Sequence, residues 1–233
     1  MTSTKMSRLV AALLLSALGC SKSAGSAGAG KALEIYPPKL FAGFDGVNTF
    51  KAPAIAVNGS GAVTWKLDDP SLATLLPAGD GKQVMVVAKK GGETTLTATS
   101  GSESDHVKLT IYAYQPEQHK LAETRYTVGP SGMADDRNPP CVSCHAPGKG
   151  PDHSPTELDA DPDDEIINTF LTGVDPEGRP VGMEYADLLK NKGFTHMWKV
   201  TDAEKDALPA YLRSLEPMGF PEYDPEGAKG SGH

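Results

Sequence analysis

The chain has 233 residues, with 22 Lys and Arg against 30 Asp and Glu and a formal net charge of −8. That length admits two modest domains with extended ends and excludes a large multi-cofactor enzyme. The acidic balance has the wrong sign for neutralising a phosphate backbone, which excludes nucleic acid as an expected partner. The charge is also uneven. From Gln115 onward there are 22 acidic and 11 basic side chains, against 8 and 9 in residues 20–114, so the acidity belongs to the second half.

The first segment reads Lys5 and Arg8, the apolar run 9–15, then Ser16-Ala17-Leu18-Gly19-Cys20. Positive start, apolar centre and small residues form the layout of an export signal, too short for a permanent membrane span. Leu18-Gly19-Cys20 resembles a bacterial lipobox, which implies removal of residues 1–19 and lipidation of Cys20. Residues 20–32, rich in Gly, Ala and Ser, are expected to be a flexible tether.

Residues 33–114 show short β-rich runs at 54–57, 63–67, 83–88, 93–99 and 106–114, separated by turn chemistry such as Asn58-Gly59 and Lys90-Gly91-Gly92. In the last run Val107, Leu109, Ile111 and Ala113 alternate with Lys108, Thr110 and Tyr112, so one face is expected to be buried. His106 reads as a solvent-facing strand residue. Several short strands at this spacing point to an all-β sandwich. The stretch Trp65-Lys66-Leu67-Asp68-Asp69-Pro70-Ser71-Leu72-Ala73, followed by Gly92-Glu93-Thr94-Thr95-Leu96-Thr97, resembles bacterial Ig-like domains of the group 2 type. The resemblance implies a core role for Trp65 and a spacer or docking module.

Residues 115–220 change character. A short helix is expected near 116–126, although its apolar periodicity is weak. Then comes Cys141-Val142-Ser143-Cys144-His145, the CxxCH arrangement of covalent haem attachment. Two thiols on one helical turn reach the two vinyl groups, and the next imidazole lies beneath the iron. A thioredoxin-like pair would need a βαβ context, and a zinc site would need a second CxxC. Further on, Asp161-Pro162-Asp163-Asp164 starts a helix with Ile166, Ile167, Phe170 and Leu171 on one face, closed by Gly173. Another helix is expected over 183–192. The last opens with the capping box Thr201-x-x-Glu204 and carries Leu208, Tyr211, Leu212 and Leu215, with Pro209 expected to bend it.

From Cys141 to Pro217 this succession, with Thr172-Gly173-Val174 through Gly178 and the ending Ala210-Tyr211-Leu212-Arg213-Ser214-Leu215, resembles a class I cytochrome c. The expected fold class is therefore two-domain: an all-β Ig-like sandwich followed by an all-α cytochrome c fold, with a flexible tail at 221–233. The resemblance implies one haem c bound through Cys141 and Cys144, His145 as proximal iron ligand, and Tyr211 and Leu212 against the macrocycle. Met197 is the expected distal ligand, with adjacent His196 the alternative and Met183 a distant third. His153 reads as a surface residue.

A single haem ligated on both sides leaves one-electron transfer as its chemistry. The expectation is thus a lipid-anchored electron-transfer protein of the bacterial envelope, outer membrane favoured, rather than an enzyme. Its partners would be the membrane, through the lipid, and redox proteins with a basic docking patch. The rival readings are an envelope adhesion or scaffold protein with an accessory haem, and an open-site haem peroxidase or sensor.

Overall fold

The computed structural model describes residues 31–129, 140–146, 150–176, 178–181 and 200–223. Eight strands come first: β1 (Glu34–Tyr36), β2 (Leu40–Phe44), β3 (Lys51–Val57), β4 (Val63–Leu67), β5 (Ala73–Ala78), β6 (Gln83–Ala88), β7 (Gly92–Ser100) and β8 (Glu103–Ala113). They form two four-stranded sheets in the orders β1-β3-β6-β5 and β2-β8-β7-β4. All pairings are antiparallel except β2 with β8, where Leu40 lies beside Leu109 and Phe44 beside Ala113.

Alternation explains the core. In β8, Val107, Leu109 and Ile111 are buried while His106 and Lys108 are exposed, as the period-2 pattern requires. They meet Leu96 and Ala98 of β7 and, from the other sheet, Ala52, Ala54, Val84 and Val86. The alternation breaks at the strand end. Ala113 is exposed and Tyr114 turns inward, because another layer covers that ring. Trp65 is only half-buried at the edge strand β4, where its indole N–H donates to the Gly81 carbonyl at 2.7 Å. It is an edge anchor rather than the core residue expected.

Five helices among the described residues supply that layer: α1 (Pro116–Thr127), α2 (Val142–His145), α3 (Pro155–Leu158), α4 (Asp163–Thr172) and α5 (Asp202–Leu212). The start of α5 is the expected capping box, with Glu204 N–H donating to Thr201 Oγ1 at 3.2 Å and Thr201 N–H to Glu204 Oε2 at 2.8 Å. The helix continues through Pro209. α4 ends at Gly173, whose φ of 68° is the left-handed cap that glycine adopts without steric cost.

The helices are docked on the sandwich. Phe41 N–H of β2 donates to the Asp159 carbonyl at 2.7 Å. Arg213, 1% exposed, donates from Nε to Asp163 Oδ1 at 2.8 Å and from its two terminal nitrogens to the Leu158 and Asp161 carbonyls. The guanidinium lies 5.7 Å from the ring centre of Phe41 and 5.4 Å from that of Tyr112, within cation–π range. Tyr114 completes the seam by donating to Asp163 Oδ2 at 2.7 Å, and its ring packs with Phe50 and Ala210.

The expected all-α cytochrome c fold is therefore corrected. The described residues from Lys31 onward form one compact unit dominated by two sheets. The helices are short, two of them a single turn, and part of α5 is covered by Phe50 and Tyr114 of the sandwich. Capping boxes and apolar stripes report helices; they carry no information about the layer against which those helices pack. The Ig-like sandwich stands, whereas the identification of the second half as a class I cytochrome c does not. Within the expected tail, Tyr223 donates to Glu34 Oε2 at 3.0 Å and packs edge-on against Tyr36. Residues 1–30 with Cys20, the expected helix at 183–192, and 224–233 lie outside the described residues.

Candidate functional site

The CxxCH segment folds as the single turn α2. Cys144 and His145 N–H both donate to the Cys141 carbonyl, at 3.1 and 2.9 Å, which puts the cysteines and the imidazole on successive positions of one helical turn. The two thiols differ in surroundings. Cys141 is buried among Tyr126, Ile166, Phe170, Leu208 and Leu212, and burial pushes its pKa up to about 11, so it is a neutral thiol. Cys144 is exposed.

His145 Nδ1 donates to the Pro151 carbonyl at 3.1 Å. A carbonyl only accepts, so this bond places the proton on Nδ1 and leaves Nε2 with its lone pair. Burial holds the imidazole pKa below its ordinary value, which keeps the ring neutral and able to ligate. Gly150 makes the turn possible. A Cβ there would collide with the Cys144 carbonyl, with His145 Nδ1 next in line at 3.8 Å.

Three aromatic rings surround this turn. Tyr126 of α1 donates to the His145 carbonyl at 3.2 Å, and burial raises its phenol pKa, so it stays protonated. His153 lies face to face with His145 at 3.6 Å between ring centres and 20° between planes. Phe170 of α4 meets His153 edge-on at 5.9 Å. Beside them, Ile167, Phe170, Leu171, Val200, Lys205 and Leu208 form a shallow apolar surface between α4 and α5 that encloses no cavity of its own.

Of the residues expected from sequence, Cys141 and Leu212 meet in one apolar cluster, and Tyr211 borders it with its ring 5.2 Å from Tyr126. Cys144 and His145 share their turn. Met197, its alternative His196, and Met183 lie outside the described residues. Among the described residues no group of three or more His, Cys, Asp or Glu side chains could hold a metal ion. The class I cytochrome c fold that implied a metal centre is not present among the described residues, and the expected pair His145 and Met197 is of a different kind, with Met197 outside them. Sequence reasoning missed His153 and Tyr126. His153 stands in Pro151-Asp152-His153-Ser154-Pro155, where no periodicity marks a buried face, and the weak periodicity of α1 hid Tyr126.

No family model matches the chain. No curated protein matches it. Among solved structures, the S-layer protein rSbsC is similar at a TM-score of 0.32 and 18% identity, over 37% of this chain and 13% of that one. The N-terminal Ig1-2 module of the Drosophila receptor protein tyrosine phosphatase DLAR is similar at a TM-score of 0.30 and 13% identity, over 37% of this chain and 51% of that one. This chain thus spans about an eighth of the first and half of the second. Among the described residues no helix is long and apolar enough to cross a membrane.

Proposed function

We propose that the chain is an exported one-electron carrier with a single haem c held covalently at α2. The observation that carries this reading is the His145–Pro151 bond within the Cys141-Val142-Ser143-Cys144-His145 motif. An imidazole whose Nδ1–H is tied to a backbone carbonyl is oriented, fixed in tautomer and made more basic at Nε2, which is the arrangement metal-ligating histidines use. The residues fit the group in three respects. The thiols lie on one helical turn, Cys141 adjoins an apolar cluster able to cover one edge of a macrocycle, and Cys144 is accessible from outside.

Cys141 and Cys144 would hold the group through thioethers, and His145 would offer Nε2 to the iron. Bound there, the haem would supply an iron that cycles between ferric and ferrous. The chain's own contribution is to orient the imidazole, hold its proton on Nδ1 and shield the Cys141 side with Ile166, Phe170, Leu208 and Leu212. The excess of 11 negative charges from Gln115 onward, 22 acidic less 11 basic, favours a partner with a basic docking patch, through steering rather than tight binding. Lipidation at Cys20 would keep the chain at a membrane of the bacterial envelope, the outer membrane by preference.

The test is to express the full chain with export and a haem-maturation system, denature it, and look for haem that stays with the polypeptide. One covalent haem is expected in the wild type and none in the doubly substituted Cys141→Ser, Cys144→Ser chain. Recovery of a haem-free wild type with a Cys141–Cys144 disulfide would sink the reading.

A further inference from the structure

We propose that Asp159 is a proton-operated latch between the helical layer and the sandwich: α3 and the start of α4 stay seated on β2 while its carboxyl holds a proton, and lift when the proton leaves. The latch does not depend on the haem reading. Asp159 stands at the C-terminal end of α3, where its N–H donates to the Pro155 carbonyl at 3.0 Å and its own carbonyl accepts from Phe41 N–H of β2 at 2.7 Å. The residue that ties the two layers through its backbone thus also carries a carboxyl into the seam. Asp159 is 1% exposed, and its Oδ2 has no hydrogen-bond partner among the described residues. A neutral carboxyl in such a place forgoes a hydrogen bond. A carboxylate there is a charge with an unanswered oxygen, which costs far more.

The donors of the seam are committed elsewhere. Arg213, at the end of α5, gives Nε to Asp163 Oδ1 at 2.8 Å and its terminal nitrogens to the Leu158 and Asp161 carbonyls, and Tyr112 lies against its guanidinium. Tyr114, just past β8, gives its hydroxyl to Asp163 Oδ2 at 2.7 Å. On β3, against which α3 packs, Lys51 is paired with Glu216 at 2.6 Å. β2 carries no titratable side chain. Burial favours the proton most strongly; the Arg213 charge opposes it, and Asp161 and Glu157 of α3 add to it. An ionised Asp159 therefore gains a donor by drawing Arg213 from Asp163 or by admitting water, and either change parts the seam. The effect reaches α4, whose Ile166 and Phe170 cover Cys141, because Asp163 at its start takes the bonds from both Arg213 and Tyr114.

The test uses the full chain as wild type and as Asp159→Asn, which keeps the shape and cannot ionise. Infrared spectra at about pH 6, where ordinary carboxyls are ionised, should show the C=O stretch of an un-ionised carboxylic acid in wild type, and that band should be missing from Asp159→Asn. Hydrogen exchange, corrected for its intrinsic pH dependence, should show the Phe41 and α4 amides of wild type losing protection by up to about tenfold per pH unit between about pH 5 and pH 8. In Asp159→Asn that slope should vanish. The seam amides should also exchange faster than those of Val84 and Leu96, inside the two sheets, because parting the seam leaves the sheets folded. Should Asp159→Asn not fold, Asp159→Ala, equally without charge, takes its place. The proposal is overturned by a wild type without the acid band, by a band that persists in the uncharged variant, by the same slope in both chains, or by seam and sheet amides exchanging at one rate.

Discussion

Asp159 is the residue that the fold tolerates least comfortably. Its side chain is fully buried beneath the sandwich, and Oδ2 finds no hydrogen-bond partner among the described residues. Burial pushes its pKa well above the ordinary carboxylate range; the Arg213 guanidinium opposes the shift, and Asp161 and Glu157 add to it. An acid whose folded pKa is raised binds its proton more tightly when folded, so stability falls as pH rises from the unfolded value of about 3.9 towards the folded one. Asp159→Asn removes that dependence. The variant should match wild type near pH 4 and exceed it at pH 7, the gap opening by up to about 1.4 kcal/mol per pH unit. Urea unfolding at the two pH values measures this, and an equal gap at both would refute it. Gly150 makes a second residue-scale case. Gly150→Ala drives a Cβ into the Cys144 carbonyl and should separate Pro151 from His145, so the His145 tautomer and the yield of covalent haem should both suffer while far-UV circular dichroism changes little.

At the scale of elements, what could be read from the sequence was what each segment decides for itself. The capping box of α5 uses Thr201 and Glu204, three residues apart, and the structure forms both of its bonds. Thr201→Ala should cost about 1 kcal/mol, seen as a lowered midpoint of thermal or urea unfolding with an unchanged folded-state helical signal. The alternation of β8 and the Gly173 stop of α4 are equally local. Three strands escaped notice for physical reasons. β1 has three residues, β2 reads Leu40-Phe41-Ala42-Gly43-Phe44 without a polar alternate, and β5 contains Pro77, which an edge strand tolerates because one side of its ladder is unpaired. Their places depend on partners distant in sequence, such as β8 for β2. Within the site, the Cys141, Cys144 and His145 pattern was legible because attachment chemistry constrains spacing. His153 was not, because its contact with His145 depends on the chain reversing between the two residues.

For the whole molecule, the seam between sheet and helices decides whether the sandwich is a detachable spacer. Arg213 is buried against Phe41 and Tyr112 and bonded to Asp163, which also takes the Tyr114 hydroxyl, and both Asp163 oxygens are thereby engaged. Removing residues 31–114 strips the rings from Arg213, one donor from Asp163, and the cover of Phe50 and Tyr114 from Ala210. Breaking a buried charged network in this way typically costs about 3–5 kcal/mol, a large share of the roughly 5–15 kcal/mol that holds a domain together. The fragment 115–233 should therefore lose amide protection in α4 and α5 relative to the full chain, and its Cys141 cluster should loosen, since Leu208 and Leu212 lie on the same helix as Ala210. Hydrogen exchange on fragment and full chain, with Arg213→Met in the full chain for comparison, reads this directly. Arg213→Met keeps the sandwich but removes the charge that Asp163 needs, so its exchange should accelerate in the same two helices. If α4 and α5 stay as protected in the fragment as in the intact chain, the seam contributes nothing to the site and the sandwich is a spacer after all. If they open, it is the sheet that holds the closing helix against Cys141.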